Sequence, residues 1–371
     1  MRRGIADLPL HWGSAPRWLF ERMVRLSRAV VQIVVADYGA AELLRRLSDP
    51  VWFQSFGCVL GFDWHSSGVT TTVCGAIKEA VKGDEAALGL YACGGKGAAS
   101  RKTPGQISGF AERFGLDGDG LVRASRLSAK VDSAGLQDGF QVYQHVFFGT
   151  TAGAWAVVQQ GMNVETGRAR RYHWLSEGLT DFVIEPHEAI ACDNRTTPLN
   201  MVAAEAGASR QASVELAARP PDETLAALDR VRRLELPDRH PVLRADISPR
   251  YLHKAMLATY ECPPAGFDEL LLVPGVGPKT VRTLALIADV VHGAAPSFRD
   301  PVTYSFAVGG KDGFPYPVDR AGYDRATAIL ERGIRESKLG DREKLDAFRR
   351  LERFHNRPEP VGVGGDRDKD R

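Results

Sequence analysis

Apolar positions recur with helical spacing through the first 82 residues and switch to strict alternation near residue 140. Pro16 suits the first turn of a helix running to about Asp37, with Trp18, Met23 and Val30 among its apolar positions. A second helical run follows at Ala40–Leu47. A third begins near Ser66 and Ser67, where Val69, Val73, Ile77 and Val81 repeat every four residues. Leu88–Cys93 reads as a short strand entering the glycine loop Gly94-Gly95-Lys96-Gly97. Thr103-Pro104-Gly105-Gln106 then predicts a helix start, with Thr103 as cap and Gln106 completing a capping box. A helix over about 120–134 would place Arg123, Arg126 and Lys130 on one face.

FQVYQHVFF (140–148), AWAVVQQGM (154–162) and RARRYHWLS (168–176) alternate and are separated by TTAG and NVETG turns. They predict an antiparallel three-strand meander, to which DFVIE (181–185) would add a fourth strand. Residues 203–245 are rich in Ala, Arg and Pro, with one amphipathic helix at Asp222–Leu234, and read as a linker. Helical spacing resumes from Asp246, and the tail PEPVGVGGDRDKDR has little to bury and reads as disordered. The expected fold class is α+β. Residues 1–202 form helices on a small, mostly antiparallel sheet, 203–245 a linker, 246–357 an all-α domain and 358–371 a tail.

Composition narrows this only a little. The chain is 44% hydrophobic and 25% charged with a net charge of +2, ordinary for a globular protein, and a near-neutral total does not exclude one basic face. No apolar run approaches the roughly 20 residues that span a bilayer. MRRGIADLPL has no signal-like apolar stretch, so a cytoplasmic protein with no membrane partner is expected. Five scattered cysteines without a C-x-x-C argue for buried thiols and against a disulfide framework or a cysteine-rich metal site.

LLVPGVGPKTVR (271–282) joins a short helix, Phe267–Leu272, to a longer one, Lys279–Val291, through a turn with two glycines. Such a turn permits positive φ and close backbone approach, and the following helix N-terminus presents amides to an anion. The stretch resembles the helix–hairpin–helix motif of DNA repair and recombination proteins, which hold the sugar–phosphate backbone. The resemblance implies a nucleic-acid clamp made of Gly275, Val276, Gly277, Lys279, Thr280 and Arg282. In the base-excision glycosylases this motif carries a Schiff-base lysine and a later aspartate, which Lys279 and Asp300 match by position. The cysteine loop of some members and the preceding helical scaffold are missing here, so an abasic-site lyase stands as an alternative.

Chemistry is expected upstream. GFDWHSS (61–67) places Asp63 and His65 before a helix, and CGGKGAASRK (93–102) offers Lys96, Arg101 and Lys102 in a loop suited to phosphate, without Walker spacing. KVDSAGLQDG (130–139) supplies Asp132 and Asp138, and the meander adds His145, Gln159, Gln160, Arg170, Arg171 and His173. Arg171 and His173 share one face of their strand and Arg170 takes the other, which is costly unless one face is wet. These residues suggest phosphodiester cleavage. Asp63 and Asp138 would hold Mg or Mn, His65 would act as base or ligand, and Lys96 would stabilise the charged transition state. His145, Gln160 and His173 are further catalytic candidates, and Arg101, Lys102, Arg170 and Arg171 further backbone contacts. An ordinary polar sheet face is the competing reading. EPHE (185–188) is a weaker metal candidate, since a strand-end turn explains it as well.

HWGSAPRWL (11–19), GFDWHSSGVTT (61–71), ACGGKG (92–97), VDSAGLQDGFQVYQHVF (131–147), WAVVQQGMN (155–163), ARRYHW (169–174) and GGKDGFPYPVD (309–319) resemble the signature blocks of an uncharacterised prokaryotic family of unknown function. That resemblance spans about residues 4–355 and implies only a setting in nucleic-acid metabolism. The expected function is a metal-dependent, structure-specific nuclease of DNA repair or recombination. The alternatives are the glycosylase/lyase and a non-catalytic binder of branched or single-stranded DNA. DNA against RNA and the oligomeric state stay open.

Overall fold

The computed structural model describes residues 16–61, 67–192, 195–232 and 249–303, together with scattered positions between 328 and 349. Four helices come first: α1 (Arg17–Tyr38), α2 (Ala40–Ser48), α3 (Pro50–Leu60) and α4 (Gly68–Val81). A short α5 (Glu85–Leu88) leads into β1 (Leu90–Lys96), then α6 (Thr103–Phe114) and α7 (Gly118–Lys130). The strands β2 (Leu136–Gln137), β3 (Gln141–Thr150), β4 (Trp155–Asn163), β5 (Arg168–Leu175), β6 (Ala189–Ala191) and β7 (Leu199–Asn200) follow. The last elements are α8 (Gly207–Ala217), α9 (Pro221–Arg232), α10 (Pro249–Glu261), α11 (Phe267–Leu272) and α12 (Pro278–His292).

The fold is α+β, with a fully antiparallel five-stranded sheet in the order β1-β3-β4-β5-β6. The predicted meander is its centre. DFVIE is not a strand; the fourth and fifth positions are filled by β6 and by β1, which returns to pair with β3. Helices cover both faces. Leu90, Val146, Phe148, Ala156 and Val158 face the helices α1–α4, with Val30, Leu43, Phe53 and Val73 in the same apolar cluster. Tyr91, Phe147, Val157, Tyr172 and Trp174 face the other way, into a cluster with Ile107 of α6, Leu121 of α7, Leu228 of α9 and Leu284 of α12. Ile334 and Ala347 are buried in the first of these clusters, and Arg332 pairs with Asp37 on α1.

Three local details depart from expectation for physical reasons. Helix α3 is apolar at nearly every position and buried almost all round, so it shows no stripe to read. The region expected as a linker contains α8 and α9, whose Leu216, Ala217 and Leu228 share a core with Phe147 and Trp174. Residues 233–245 of that region lie outside the described residues, as do the tail 358–371 and most of 304–357. No capping box forms at α6. Gln106 Oε1 instead accepts from Gly94 N at 2.8 Å, and Thr103 turns its hydroxyl to Ser100 O. Cys58, Cys74, Cys93 and Cys192 are buried free thiols, while Cys262 is exposed. No described helix is long and apolar enough to cross a membrane.

Candidate functional site

With both faces of the sheet covered, the polar strand residues divide between two interiors. Toward α1–α4, Gln160 donates to Ser67 O at 3.0 Å and to the Tyr143 hydroxyl at 2.5 Å, and accepts from Thr70. A bulge between Val142 and Gln144 lets Tyr143 reach this side. Arg171 donates to Gln54 Oε1 at 2.8 Å and lies over the Phe53 ring. Burial pushes its guanidinium down to about 9. His173 bonds Leu47 O, and burial together with nearby Arg171 holds its pKa well below the usual histidine range.

Toward the C-terminal helices, His145 bridges Ser125 Oγ and Gln159 Oε1, both at 2.8 Å, and burial lowers its pKa too. Arg170 forks between Asp138 at 2.8 Å and Asp300 at 2.9 Å, over the Phe140 ring. Burial opposes its charge, but the two carboxylates prevail and raise its pKa.

The predicted constellation is therefore not one site. His145 lies on one side of the sheet, and Gln160 and His173 lie on the other. Arg170 and Arg171 are fully buried and do not present themselves to a nucleic acid. Asp138 is no open metal ligand either: one carboxylate oxygen accepts from Phe140 N and the other from Arg170 and the Tyr172 hydroxyl. No three His, Cys, Asp or Glu side chains gather to hold a metal among the described residues, and Asp63 and His65 lie outside them. Lys96 is exposed over the Tyr143 ring, and Arg101 and Lys102 are exposed on the following 3-10 turn.

The buried neutral histidines carry a pH signature. Each is depressed in the fold, so as pH falls through about 6.5 the unfolded chain takes up the proton first and the native state loses ground. Acidification from about pH 7.5 to about pH 5.5 should cost up to about 1.4 kcal/mol per pH unit below 6.5 for each of His145 and His173. Urea midpoints across that range measure the slope, which should flatten in His145→Gln.

Two other places gather functional groups. At the α11–α12 turn, Gly275 has φ +89° and is exposed, while Val276 is buried as the anchor. Lys130 Nζ holds Val276 O at 2.7 Å; Gln137 donates to Pro278 O at 2.9 Å and accepts from Arg282 Nε at 2.9 Å. Gly277 is the N-cap of α12 with no side-chain cap, and Lys279 beside it is exposed. Thr280 is buried. Asp300, the aspartate of the lyase alternative, is occupied by Arg170 and by Thr196, whose amide lies 2.7 Å away.

The second place is a cleft of about 270 Å³ lined by Glu185, His187, Arg195, Asn200, Arg299 and Thr303, among others. At its wall, His187 Nε2 bonds the fully buried Asp132 at 2.5 Å. Asp132 also accepts from Gln159 Nε2 at 2.5 Å and Trp174 Nε1 at 3.0 Å, and the Trp174 ring packs edge-on against the imidazole. Asp132 belongs to a π-helical turn, Val131–Gly135. The pair has no signature in the sequence because its members are 55 residues apart, although KVDSAGLQDG and EPHE each hold one of them.

The family model described as Protein of unknown function (DUF763) matches residues 4–318, and the chain belongs to that family. No curated protein and no solved structure matches it.

Proposed function

We propose that this protein binds a nucleic-acid backbone, DNA in the first instance, at the turn between α11 and α12. One observation carries the reading: an exposed glycine turn delivers the chain into an uncapped helix N-terminus with Lys279 at its first turn. The leading amides of α12 have no acceptor within the helix, and the helix dipole favours negative charge there. Lys130, Gln137 and Arg282 brace the turn from behind, so little ordering is needed on binding. Contacts of this kind position a backbone without reading its sequence.

Gly277→Asp separates binding from folding. Gly277 has extended φ and open space where a Cβ would stand, so the new carboxylate can cap α12 without strain. Stability should hold or rise by a few tenths of a kcal/mol, the difference between glycine and aspartate at an N-cap, while a phosphate is repelled from the same amides. In fluorescence anisotropy with a labelled stem-loop DNA, affinity should fall at least about tenfold, and Lys279→Gln should lower the salt slope by about 1. Unchanged affinity in Gly277→Asp would remove the reading.

A further inference from the structure

The cleft beside β5 and β6 has the makings of a reaction site. A carboxylate only accepts hydrogen bonds, so Asp132 fixes the hydrogen of His187 on Nε2 and leaves the lone pair on Nδ1. Nδ1 has no partner among the described residues, and the imidazole lines the cleft. Gln159 and Trp174 complete the donor set around Asp132, which locks the carboxylate and, through it, the ring. A buried carboxylate orienting a histidine that lines a cleft, with its second nitrogen unpartnered among the described residues, is the arrangement of a general base.

The backbone marks the same place independently. Asp132 occupies the π turn, a feature often found at functional sites. Glu185 at the rim has φ +45°, the one positive φ at a non-glycine among the described residues. Strain of this kind is kept where surrounding structure enforces it. Glu185 is tied down by its amide to Val202 O and by its carboxylate to Arg299.

The cations around the cleft are unequally engaged. Arg170 is shared by Asp138 and Asp300, and Arg299 by Glu185 and Glu205. Arg195 lines the cleft, is exposed, and makes no ion pair among the described residues, leaving it as the cation for an incoming anion.

We infer that this cleft cleaves phosphodiesters, with His187 as general base, Asp132 as its positioning residue and Arg195 receiving the phosphate charge; the choice of phosphodiester rests on the backbone-binding reading. A water O–H gives its proton to His187 Nδ1 as the O–P bond forms. The P–O bond to the leaving group breaks, and the leaving oxygen takes the proton back from the imidazolium. Water is added across one bond and nothing is oxidised or reduced.

The test uses the full chain and bis(para-nitrophenyl) phosphate as probe. Wild type should turn it over above the buffer rate. His187→Gln should lower kcat by a factor on the order of 10² to 10⁴. Asp132→Asn should lower kcat with KM unchanged, and Arg195→Gln should raise KM with the melting curve unmoved. If Asp132→Asn does not fold, Arg195→Gln, at an exposed side chain, still decides. Wild-type turnover equal to buffer, or wild-type kcat in a folded His187→Gln, overturns the inference. Diester turnover without stem-loop binding removes the backbone reading and leaves the cleft; stem-loop binding without diester turnover does the reverse.

Discussion

Arg170→Met is expected to destabilise the protein by about 3–5 kcal/mol, the range for removing one partner of a buried ion pair. Arg170 is fully buried, with Asp138 at 2.8 Å and Asp300 at 2.9 Å from separate guanidinium nitrogens. Methionine fills much of the volume over Phe140 but leaves two carboxylates facing each other away from water. Asp138 itself is 3% exposed, so hydration cannot replace the lost charge. Arg170→Lys should fall in between, because a single ammonium cannot fork to both acids. Adding Asp138→Asn and Asp300→Asn to Arg170→Met should recover part of the loss, since the remaining groups are neutral. Urea unfolding followed by circular dichroism measures all three. A loss below about 1 kcal/mol for Arg170→Met would show that the triad is not held together as described. The consequence reaches the cleft, because Asp300 also anchors Thr196 on the segment that carries Arg195.

That triad also shows where sequence stops being informative. The alternation of β3, β4 and β5 survives translation into structure because each strand repeats one face every second residue. Alternation thus places Arg170 and Arg171 on opposite faces from the sequence alone. What alternation cannot say is what covers each face. Adjacent arginines on a strand suggest that one side is wet, and only the packing of α1–α4 on one side and α6–α12 on the other buries both. The partners that make this tolerable come from far along the chain: Gln54 for Arg171, and Asp138 and Asp300 for Arg170. The Asp132–His187 pair was hidden in the same way. Its local signals, a π turn and one strained residue, are dihedral facts with no residue signature. The α11–α12 turn was readable for the opposite reason, since its glycines, proline and lysine are contiguous and each has a local conformational cause.

Gly94→Ala is expected to cost about 2–4 kcal/mol, with the melting temperature lowered to match. The reason recasts the glycine loop after β1. Gly94 has φ +95°, and a Cβ there would stand 2.3 Å from His145 O and 2.6 Å from Thr103 Oγ1. The obstructing oxygen is backbone in the paired strand β3, so the clash is relieved only by opening the sheet. The strain of a positive φ adds about 1 kcal/mol to an overpacking cost of about 1–3 kcal/mol. The amide and carbonyl of Gly94 are in use as well, toward Gln106 Oε1 and Lys78 Nζ. Glycine at this position therefore serves close packing of β1 on β3 and α6, and a phosphate is not needed to explain it. Gly97→Ala is the control: it has φ +58° but open space around it, so it should cost only about 1 kcal/mol. A loop built to grip phosphate predicts another pattern, with Gly97→Ala stable but weakened in anisotropy and Gly94→Ala close to wild type in stability. Melting temperatures and stem-loop affinities of the two variants decide between a packing glycine and a binding glycine.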